Sequence, residues 1–445
     1  MRSKWLRIFL FGLGVRFLFA LPALIEPNRS VMPIPDAQSY LTIARNLIEG
    51  HGYSLSEGPP YEPDNFRTPL YPLFLSGLLS LSGFNLLLPL VVQILLSSLT
   101  PFILLPFLKE LAFAEREITL GAYLIAINPL LSFFSVLLLT ETIFICLLFL
   151  SFWTEKPFLR GLIMGLAALV RPIAIFGPIL LLPFHRLREF PKILIGFTFM
   201  ITPWLIRNYL TSGEIQFASV SDANLLLHHA APVIAAGEDR NLYEVQDSLK
   251  REAERMVREE RVSLMRAYRV IAVRELLSHP IGYLKLLTIG LLGNFIPFPL
   301  GHWVAYVTGK NIWALKIRSA VFQEVAVAIT KFRFIQIIGI VWQQRLRHLG
   351  GLGILGFISS SVMELMIIIM AIFGLFLYTR RKFPLFLWLG YFTLLPGSYG
   401  HPRFRVPVEP ILIILASITI QILVDKIRLK MSTRFWVRFR KLNLL

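Results

Sequence analysis

Two carboxylates and five arginines are the charged side chains that stand out, because each lies at the end of an apolar run or in a loop beside one. They are Asp36, Glu141, Arg67, Arg171, Arg207, Arg403 and Arg405. Guanidinium groups bind phosphate oxygens through paired, charge-assisted hydrogen bonds, and a carboxylate can take a proton from a hydroxyl. For any single one, an interfacial charge that extends to water is the simpler interpretation. Together they indicate a site for an anionic, phosphate-bearing substrate.

Asp36 opens the most informative of these segments, residues 35–53. Its position predicts the N-cap of an amphipathic helix that ends at Gly50 and Gly52. The apolar residues of this helix recur at i, i+3, i+4 and i+7, and they are Tyr40, Ile43, Ala44 and Leu47. A helix of this kind lying on the membrane would hold Asp36 at the boundary between lipid and water. A structural cap and a catalytic carboxylate are equally good interpretations at this point.

The composition indicates an integral membrane protein around these residues. Of the 445 residues, 55% are hydrophobic and only 16% are charged, and the mean hydropathy is +0.65. Apolar runs such as residues 85–108 are long enough to cross a bilayer as helices, at about 20 residues per span. The runs are continuous rather than alternating, which favours helices as the structure that satisfies the backbone in lipid. We therefore expect an all-α polytopic membrane protein.

The net charge of +18 is explained by membrane topology rather than by nucleic-acid binding. Lys and Arg concentrate in the short breaks between apolar runs and in the C-terminal tail, where the positive-inside rule predicts cytoplasm. We therefore expect no nucleic-acid partner.

Cys146 is the only cysteine, which excludes an intramolecular disulfide and a thiolate metal site. The first apolar run has no convincing cleavage site and is interpreted as an uncleaved helix.

The basic breaks also predict the orientation of the helices. Arg2, Lys4 and Arg7 place the N-terminus in the cytoplasm, so the first helix leads outward. We expect about ten to twelve transmembrane helices in the cell membrane, with both termini cytoplasmic and the charged cluster on the extracytoplasmic side. The segment 284–349 stays open, because its second apolar run, 320–341, is interrupted by basic residues.

Three regions divide the chain. Residues 1–210 form an N-terminal transmembrane module, and its first external loop, 26–82, contains Asp36 and amphipathic juxtamembrane helices. Residues 211–282 are polar, with apolar positions at helical spacing that predict an external helical cap. Residues 283–445 form a C-terminal transmembrane module with an external loop at 397–410 and a basic cytoplasmic tail.

Several short motifs occur in a defined order and on one predicted face of the membrane. They are Asp36 after the first helix, Tyr40-x3-Ala44-x-Asn46-Leu47, Gly50-x-Gly52-Tyr53, Arg67-x-Pro69-x-Tyr71-Pro72, Thr140-Glu141, Arg171-Pro172, Trp204-x2-Arg207-Asn208 and Arg403-Phe404-Arg405-x-Pro407-x-Glu409-Pro410. In this order they resemble the GT-C glycosyltransferases, in the branch with the protein mannosyltransferases and the lipid A aminoarabinose transferases.

The resemblance implies a GT-C fold and an enzyme that moves a hexose or pentose from a polyprenyl-phosphate donor to an acceptor outside the cytoplasm. Asp36 matches the family's general base, Glu141 matches its second acidic position, and Arg67 is expected at the donor phosphate. Weaker candidates for that phosphate are Arg171, Arg207, Arg403 and Arg405. Tyr40 and Tyr71 are expected to bind substrate. The expected partners are the lipid-linked donor, a glycan, lipid or protein acceptor, and the bilayer.

Two departures from the family limit what is carried over. Ala37 stands where many relatives have a second acidic residue, so the first loop does not support a divalent metal site, and we assign no certain cofactor. The external region after the seventh predicted helix is small, so the acceptor's identity is not carried over. Zinc-ligand spacing is missing among five scattered histidines of the eight in the chain, namely His51, His228, His229, His302 and His401.

Two other functions compete with sugar transfer. A transporter or flippase of lipid-linked saccharides would share the helices and the basic residues, but it would favour an internal repeat and polar residues at mid-membrane. A surface-polysaccharide polymerase or ligase would also attack a polyprenyl-linked sugar. It would be expected to carry a large external loop late in the chain, where only residues 397–410 are present.

Overall fold

The computed structural model describes residues 2–31, 34–309 and 349–442 of the chain, with side chains up to residue 428. The described residues are helical apart from turns and a single bridge between Ser54 and Pro63. The chain is therefore all-α, as the apolar runs predict. The ambiguous second run at 320–341, together with the side chains of the basic tail beyond residue 428, lies outside the described part.

The helices of the N-terminal half are numbered in chain order. They are α1 Arg2–Ile25, α2 Pro35–Ile48, α3 Leu70–Leu81, α4 Leu87–Ser98, α5 Thr100–Ile103, α6 Leu105–Glu110, α7 Glu115–Ile127, α8 Pro129–Ser135, α9 Glu141–Leu150, α10 Pro157–Val170, α11 Gly177–Leu181 and α12 Phe190–Ser212. Short 3₁₀ turns lie between them at Pro27–Ser30, Ser151–Trp153, Pro172–Phe176, Leu182–Phe184 and Leu187–Glu189.

The helices of the C-terminal half follow the same numbering. They are α13 Val220–Asn224, a π-helical turn Leu225–Ala230, α14 Ala231–Gly237, α15 Leu242–Glu260, α16 Leu264–Ser278, α17 Pro280–Asn294, α18 Leu300–Thr308, α19 Gly351–Leu377, α20 Lys382–Leu394, a 3₁₀ turn Gly397–Tyr399, α21 Pro402–Arg405 and α22 Glu409–Leu442.

Several helices are long and apolar enough to cross a membrane. Four qualify singly among the described residues, namely Ser3–Ile25, Leu187–Ser212, Gly351–Leu377 and Glu409–Arg428. The number rises to seven if each of three bent helix pairs is one span. Shorter apolar helices, such as α3 and α10, fall below the length that one span needs. A membrane-embedded protein is thus supported, and the larger number of ten to twelve spans stays a prediction.

Glycines allow two pairs of helices to pack backbone against backbone. α10 lies along α12, where a methyl group on Gly161 would overlap the carbonyl oxygen of Ile193. α19 lies along α22, and Gly374 meets the carbonyl of Leu415 in the same way. Small residues at such crossings are the usual means by which membrane helices approach closely. These two pairs form the framework on which the charged residues are placed.

A proline breaks the helix pair α7–α8 and exposes polar backbone inside the bundle. Pro129 has no N–H to give to the carbonyl of Ile125, and the two helices are bent by 51°. The fully buried guanidinium of Arg16 on α1 donates to the carbonyl of Ala126 at 3.0 Å and to Ser97 Oγ at 2.8 Å. Arg16 therefore satisfies groups that the break leaves open.

The region 211–282 is mainly helical, and two of its helices, α15 and α16, form a hairpin. α15 and α16 are separated at Arg261, which adopts a left-handed conformation with φ 54°. Val245, Leu249 and Ile271 face one another in a small apolar core that is separate from the main one. The region thus has its own core, and its role as an external cap stays a prediction.

Candidate active site at the helix ends

Asp36 lies in the first turn of α2, two positions after the N-cap, whereas the sequence predicts it at the N-cap itself. The N-cap is Ile34, whose backbone is extended, and Pro35 and Asp36 are the first two helical residues. The prediction of Asp36 as N-cap is therefore wrong, because Pro35 supplies the fixed φ that starts the helix. α2 ends before Gly50, with φ 80°, as predicted. Its buried face holds the Asp36 carboxylate close to Arg67 and Arg403, with 31% of that side chain exposed.

Arg67 is positioned by the loop that follows α2. The Asp64 carboxylate accepts the backbone N–H groups of Phe66 and Arg67 at 3.1 and 3.2 Å, and Tyr53 Oη donates to the Arg67 carbonyl at 3.1 Å. Arg67 Nη2 then donates to Asp36 Oδ1 at 2.6 Å. Its guanidinium also lies over the Tyr40 ring, 5.2 Å from the centroid. Both backbone and side chain of Arg67 are thus held beside Asp36.

Glu141 is the first residue of α9 and has no exposed side-chain surface. Its Oε1 accepts a hydrogen bond from Arg171 Nη1 at 2.8 Å and another from Arg403 Nε. Arg171 ends α10 at the break before Pro172, which is where the sequence places a helix end. The ends of α9 and α10 therefore meet, and the carboxylate of one is paired with the guanidinium of the other.

Arg403 joins the two carboxylates. It lies on the short helix α21, where His401 Nδ1 accepts the backbone N–H of Arg403 at 3.1 Å. Its Nη1 donates to Asp36 Oδ2 while its Nε donates to Glu141 Oε1. The result is a continuous chain of ion pairs, which we call the charge cluster. It runs in the order Arg67, Asp36, Arg403, Glu141, Arg171.

The charge cluster has one positive charge in excess, because three guanidinium groups face two carboxylates. Burial alone would raise the pKa of Asp36, but the neighbouring charges of Arg403 and Arg67 outweigh it and hold that pKa well below its ordinary value. Asp36 is therefore ionised at neutral pH. A net positive, partly desolvated cluster favours a ligand group with one negative charge.

Three buried polar atoms in this region have no hydrogen-bond partner among the described residues. They are Glu141 Oε2, Arg67 Nε and Thr140 Oγ1. Buried polar atoms are almost always paired, so unpaired ones beside a partly open cluster indicate where a polar ligand binds. Glu141 Oε2 can accept from a hydroxyl, whereas Arg67 Nε can donate to an anion.

The two tyrosines that are predicted to bind substrate are in contact with each other and differ in their hydrogen bonds and in their distance from the charge cluster. Tyr40 and Tyr71 pack edge to face with ring centroids 5.0 Å apart. Tyr40 lies against the Arg67 guanidinium, whereas Tyr71 is fully buried and donates its hydroxyl to Gln93 Oε1 at 2.6 Å. Tyr40 thus contacts the charge cluster through Arg67, whereas Tyr71 packs against Tyr40.

Arg207 lies next to the cluster's loop, without a contact to Asp36 or Glu141. Its guanidinium donates to the carbonyls of Asp64 and, at 3.3 Å, Tyr53. It also stacks on the Trp204 ring, 4.9 Å from the centroid. Arg207 therefore fastens the loop that carries Arg67 to the end of α12.

Arg405 belongs to a second ion cluster, which is fully buried. It donates to Glu409 Oε2 at 2.6 Å and to Glu364 Oε2 at 3.0 Å, and its other hydrogen bonds go to carbonyls between Asn294 and Pro297. Asn128 donates to both glutamates at 2.8 and 3.2 Å. Two residues after Arg403, Arg405 thus anchors α21 to α19 and α22.

Sequence reasoning missed four residues that support the two clusters. They are Asp64, Gln93, Asn128 and Glu364. Gln93 and Glu364 each stand alone inside an apolar run, and a polar residue in such a run is a signal for a buried polar contact. Asp64 and Asn128 carry weaker signals, because short polar residues beside prolines are common in turns.

Comparison with known proteins identifies no family model, no curated protein and no solved structure that matches this chain. Within the part of the chain that the structure describes, no group of three or more His, Cys, Asp or Glu residues is placed to hold a metal ion. Function is therefore inferred from the site itself.

Proposed function

We propose that this protein is a membrane glycosyltransferase that moves a monosaccharide from a polyprenyl-phosphate donor to an acceptor on the extracytoplasmic face. The observation that carries the proposal is the charge cluster, in which Asp36 lies between Arg67 and Arg403, while Arg67 Nε and Glu141 Oε2 have no partner within the part of the chain that the structure describes. A carboxylate beside phosphate-binding groups and a free hydroxyl acceptor is the combination that this reaction needs.

Asp36 acts as the general base in this proposal. It takes the proton of the acceptor hydroxyl as that oxygen attacks the anomeric carbon, and a positioned base contributes typically about 10²–10⁴-fold in rate. The carboxylate also faces the positive charge that develops on the sugar when the anomeric C–O bond breaks. Its 31% exposure leaves it accessible to an acceptor.

Arg67 and Arg403 bind the donor phosphate. Both have guanidinium nitrogens in the immediate surroundings of Asp36, so the phosphate they bind would lie next to the base. Guanidinium groups in a partly desolvated site balance the negative charge that grows on the leaving phosphate. The excess positive charge of the cluster matches the single negative charge of a phosphodiester.

Glu141 orients the acceptor through Oε2, and Arg171 holds Glu141 in place. We assign Arg207 and Arg405 a positioning role. The hydrogen bonds of Arg207 go to two backbone carbonyls and to Asn208 Oδ1, and those of Arg405 go to backbone carbonyls, Glu364 and Glu409. The GT-C fold, ten to twelve spans, cytoplasmic termini and a cell-membrane location complete the proposal. No metal is assigned a step.

The proposal is tested by transfer from radiolabelled polyprenyl-phosphate hexoses and pentoses, supplied to membranes that contain the protein. We expect transfer of label from one donor class, and we expect Arg67→Ala to weaken donor binding more than acceptor binding, because Arg67 Nη2 and Nε face the phosphate. A rise of the donor KM by about tenfold corresponds to one lost charge-assisted hydrogen bond. Membranes with Glu62→Gln, an exposed change in the same loop, serve as the control. No transfer from any donor, or an unchanged donor KM in Arg67→Ala, would contradict the proposal.

A further inference from the structure

Asp36 is poorly disposed to act as a base in the arrangement that the structure shows. Arg67 Nη2 binds Oδ1 at 2.6 Å, and Arg403 Nη1 binds Oδ2, so each carboxylate oxygen holds one guanidinium. The other titratable or charged groups that act on Asp36 or on its two partners are Tyr40, Tyr53, Asp64, Tyr71, Glu141, Arg171 and His401. A carboxylate with both oxygens in ion pairs has little tendency to take a proton from a hydroxyl.

We infer that Asp36 is a masked base, which the donor phosphate releases by drawing Arg67 and Arg403 away from its two oxygens. The inference rests on the proposed function and adds an order of events to it. The donor binds first, the base becomes free, and only then can the acceptor hydroxyl be deprotonated. When no polyprenyl-phosphate donor is bound, the charge cluster would therefore be unable to activate water or another hydroxyl.

Both arginines have the means to change partner. Among the described residues the buried Nε of Arg67 has no hydrogen-bond partner, so it can donate to a phosphate through an atom that forms no such bond in the masked state. Arg403 keeps its second carboxylate, because its Nε remains on Glu141 when Nη1 leaves Asp36. The exchange thus leaves neither guanidinium without a carboxylate or phosphate partner.

The charges balance before and after the reaction. A bound phosphodiester has one negative charge, which neutralises the single excess positive charge of the cluster. During transfer the acceptor oxygen bonds to the anomeric carbon, the anomeric C–O bond to phosphate breaks, and the acceptor proton moves to Asp36. The cluster then has two excess positive charges, and the leaving polyprenyl phosphate, a monoester, has about two negative charges. The buried site stays near neutrality throughout.

Masking makes an unusual prediction for the Asp36→Asn variant. If Asp36 competes with phosphate for the two guanidinium groups, its removal should make a phosphodiester bind more tightly. We expect dodecyl methyl phosphate to bind Asp36→Asn at least about tenfold more tightly than the wild type, which corresponds to about 1.4 kcal/mol. The measurement is isothermal titration calorimetry on the full-length protein in detergent. Glu62→Gln, which removes one exposed carboxylate from the same loop, should bind as the wild type does.

A double-mutant cycle separates masking from a general gain in positive potential. In the wild type, Arg403→Gln removes a phosphate ligand but also frees one oxygen of Asp36, so part of the loss in diester affinity is offset. In the Asp36→Asn background no carboxylate at position 36 competes for Arg403. The same change should therefore lower the affinity for the diester by a several-fold larger factor than it does in the wild type. Arg67→Gln provides the same cycle if the Arg403 variant does not accumulate in the membrane.

The outcomes distinguish masking from the proposed function. Equal or weaker diester binding in Asp36→Asn, or additive effects in the cycle, would overturn masking while leaving an arginine-dependent phosphate site intact. Diester binding that none of the arginine variants changes would instead remove the phosphate site, and the proposed function with it. Tighter binding in Asp36→Asn together with a non-additive cycle supports masking.

Discussion

Glu141 shows at the scale of single residues how the cluster combines pairing with an open position. Its Oε1 accepts hydrogen bonds from Arg171 and Arg403, whereas its Oε2 has no partner among the described residues. Its side chain has no exposed surface, so the charge is stable there only because two guanidinium groups surround it. The same residue is thus required for the structure and keeps one oxygen without a partner among the described residues.

Replacement of Glu141 by Gln should therefore reduce both stability and activity. Removal of one partner from a buried ion pair lowers the free energy of unfolding by about 3–5 kcal/mol. The loss in this variant should be near the lower value, because the amide oxygen of glutamine can still accept a hydrogen bond. Thermal unfolding in detergent measures the effect. Glu110→Gln is the matched control, because Glu110 pairs with Arg160 but is 27% exposed, and a smaller loss is expected there. A Glu141 variant as stable as the Glu110 variant would contradict this account of the cluster.

At the scale of elements, the short helix α21 is held at both ends. His229 Nδ1 in the region 211–282 accepts the N–H of Ser398 at 3.3 Å just before α21, and Arg405 pairs with Glu364 and Glu409 just after Arg403. Burial, together with the neighbouring His228, lowers the pKa of His229 to about 4, so its ring is neutral at pH 7 and able to accept. Two contacts outside the charge cluster therefore determine where Arg403 lies.

The second ion cluster contains two carboxylates and one guanidinium. Loss of the arginine should therefore destabilise the protein more than loss of one carboxylate. Arg405→Met leaves Glu364 and Glu409 buried without a cation and should cost about 3–5 kcal/mol of stability. Glu364→Gln keeps one acceptor oxygen, so it loses the hydrogen bond from either Arg405 or Asn128, but it leaves the Arg405–Glu409 pair intact and its loss of stability should be smaller. Thermal unfolding of both variants in detergent tests the difference. Equal losses would show that the two carboxylates do not share one guanidinium as described.

The sequence predicts the elements of the site better than its contacts. The helix after Asp36, its end at Gly50 and the break at Arg171-Pro172 follow from local glycine and proline chemistry, and the structure confirms them. The pairing of Asp36 with Arg403 joins residues 367 positions apart, and no local pattern determines it. Nor does spacing explain why Arg405 points to Glu364 while Arg403 points to Asp36.

At the scale of the whole molecule, the charged elements come from both halves of the chain. α2, α9 and α10 belong to the N-terminal half, and α21 to the C-terminal half. The cluster therefore forms only when the two halves pack, which α22 brings about by lying along α7 and α19. The bundle is required for the site, and each half alone lacks either Arg403 or both carboxylates.

The predicted orientation of the bundle can be tested with single cysteines. Cys146 is buried and is the only native cysteine, so Cys146→Ala provides a background without thiols. In that background Glu62→Cys, in the first external loop, should react with a membrane-impermeant maleimide on intact cells. Arg188→Cys, in a basic break assigned to the cytoplasm, should react only after permeabilisation. The reverse pattern would place the charge cluster on the cytoplasmic side.

The most direct test of Asp36 as the base is the rate of sugar transfer by the Asp36→Asn variant. With a saturating radiolabelled polyprenyl-phosphate donor, we expect the rate to fall by about 10²–10⁴-fold while the amount of protein in the membrane is unchanged, because asparagine cannot take the acceptor's proton. The Glu62→Gln variant should transfer at the wild-type rate. Transfer by Asp36→Asn at the wild-type rate would contradict the assignment of Asp36 as the base.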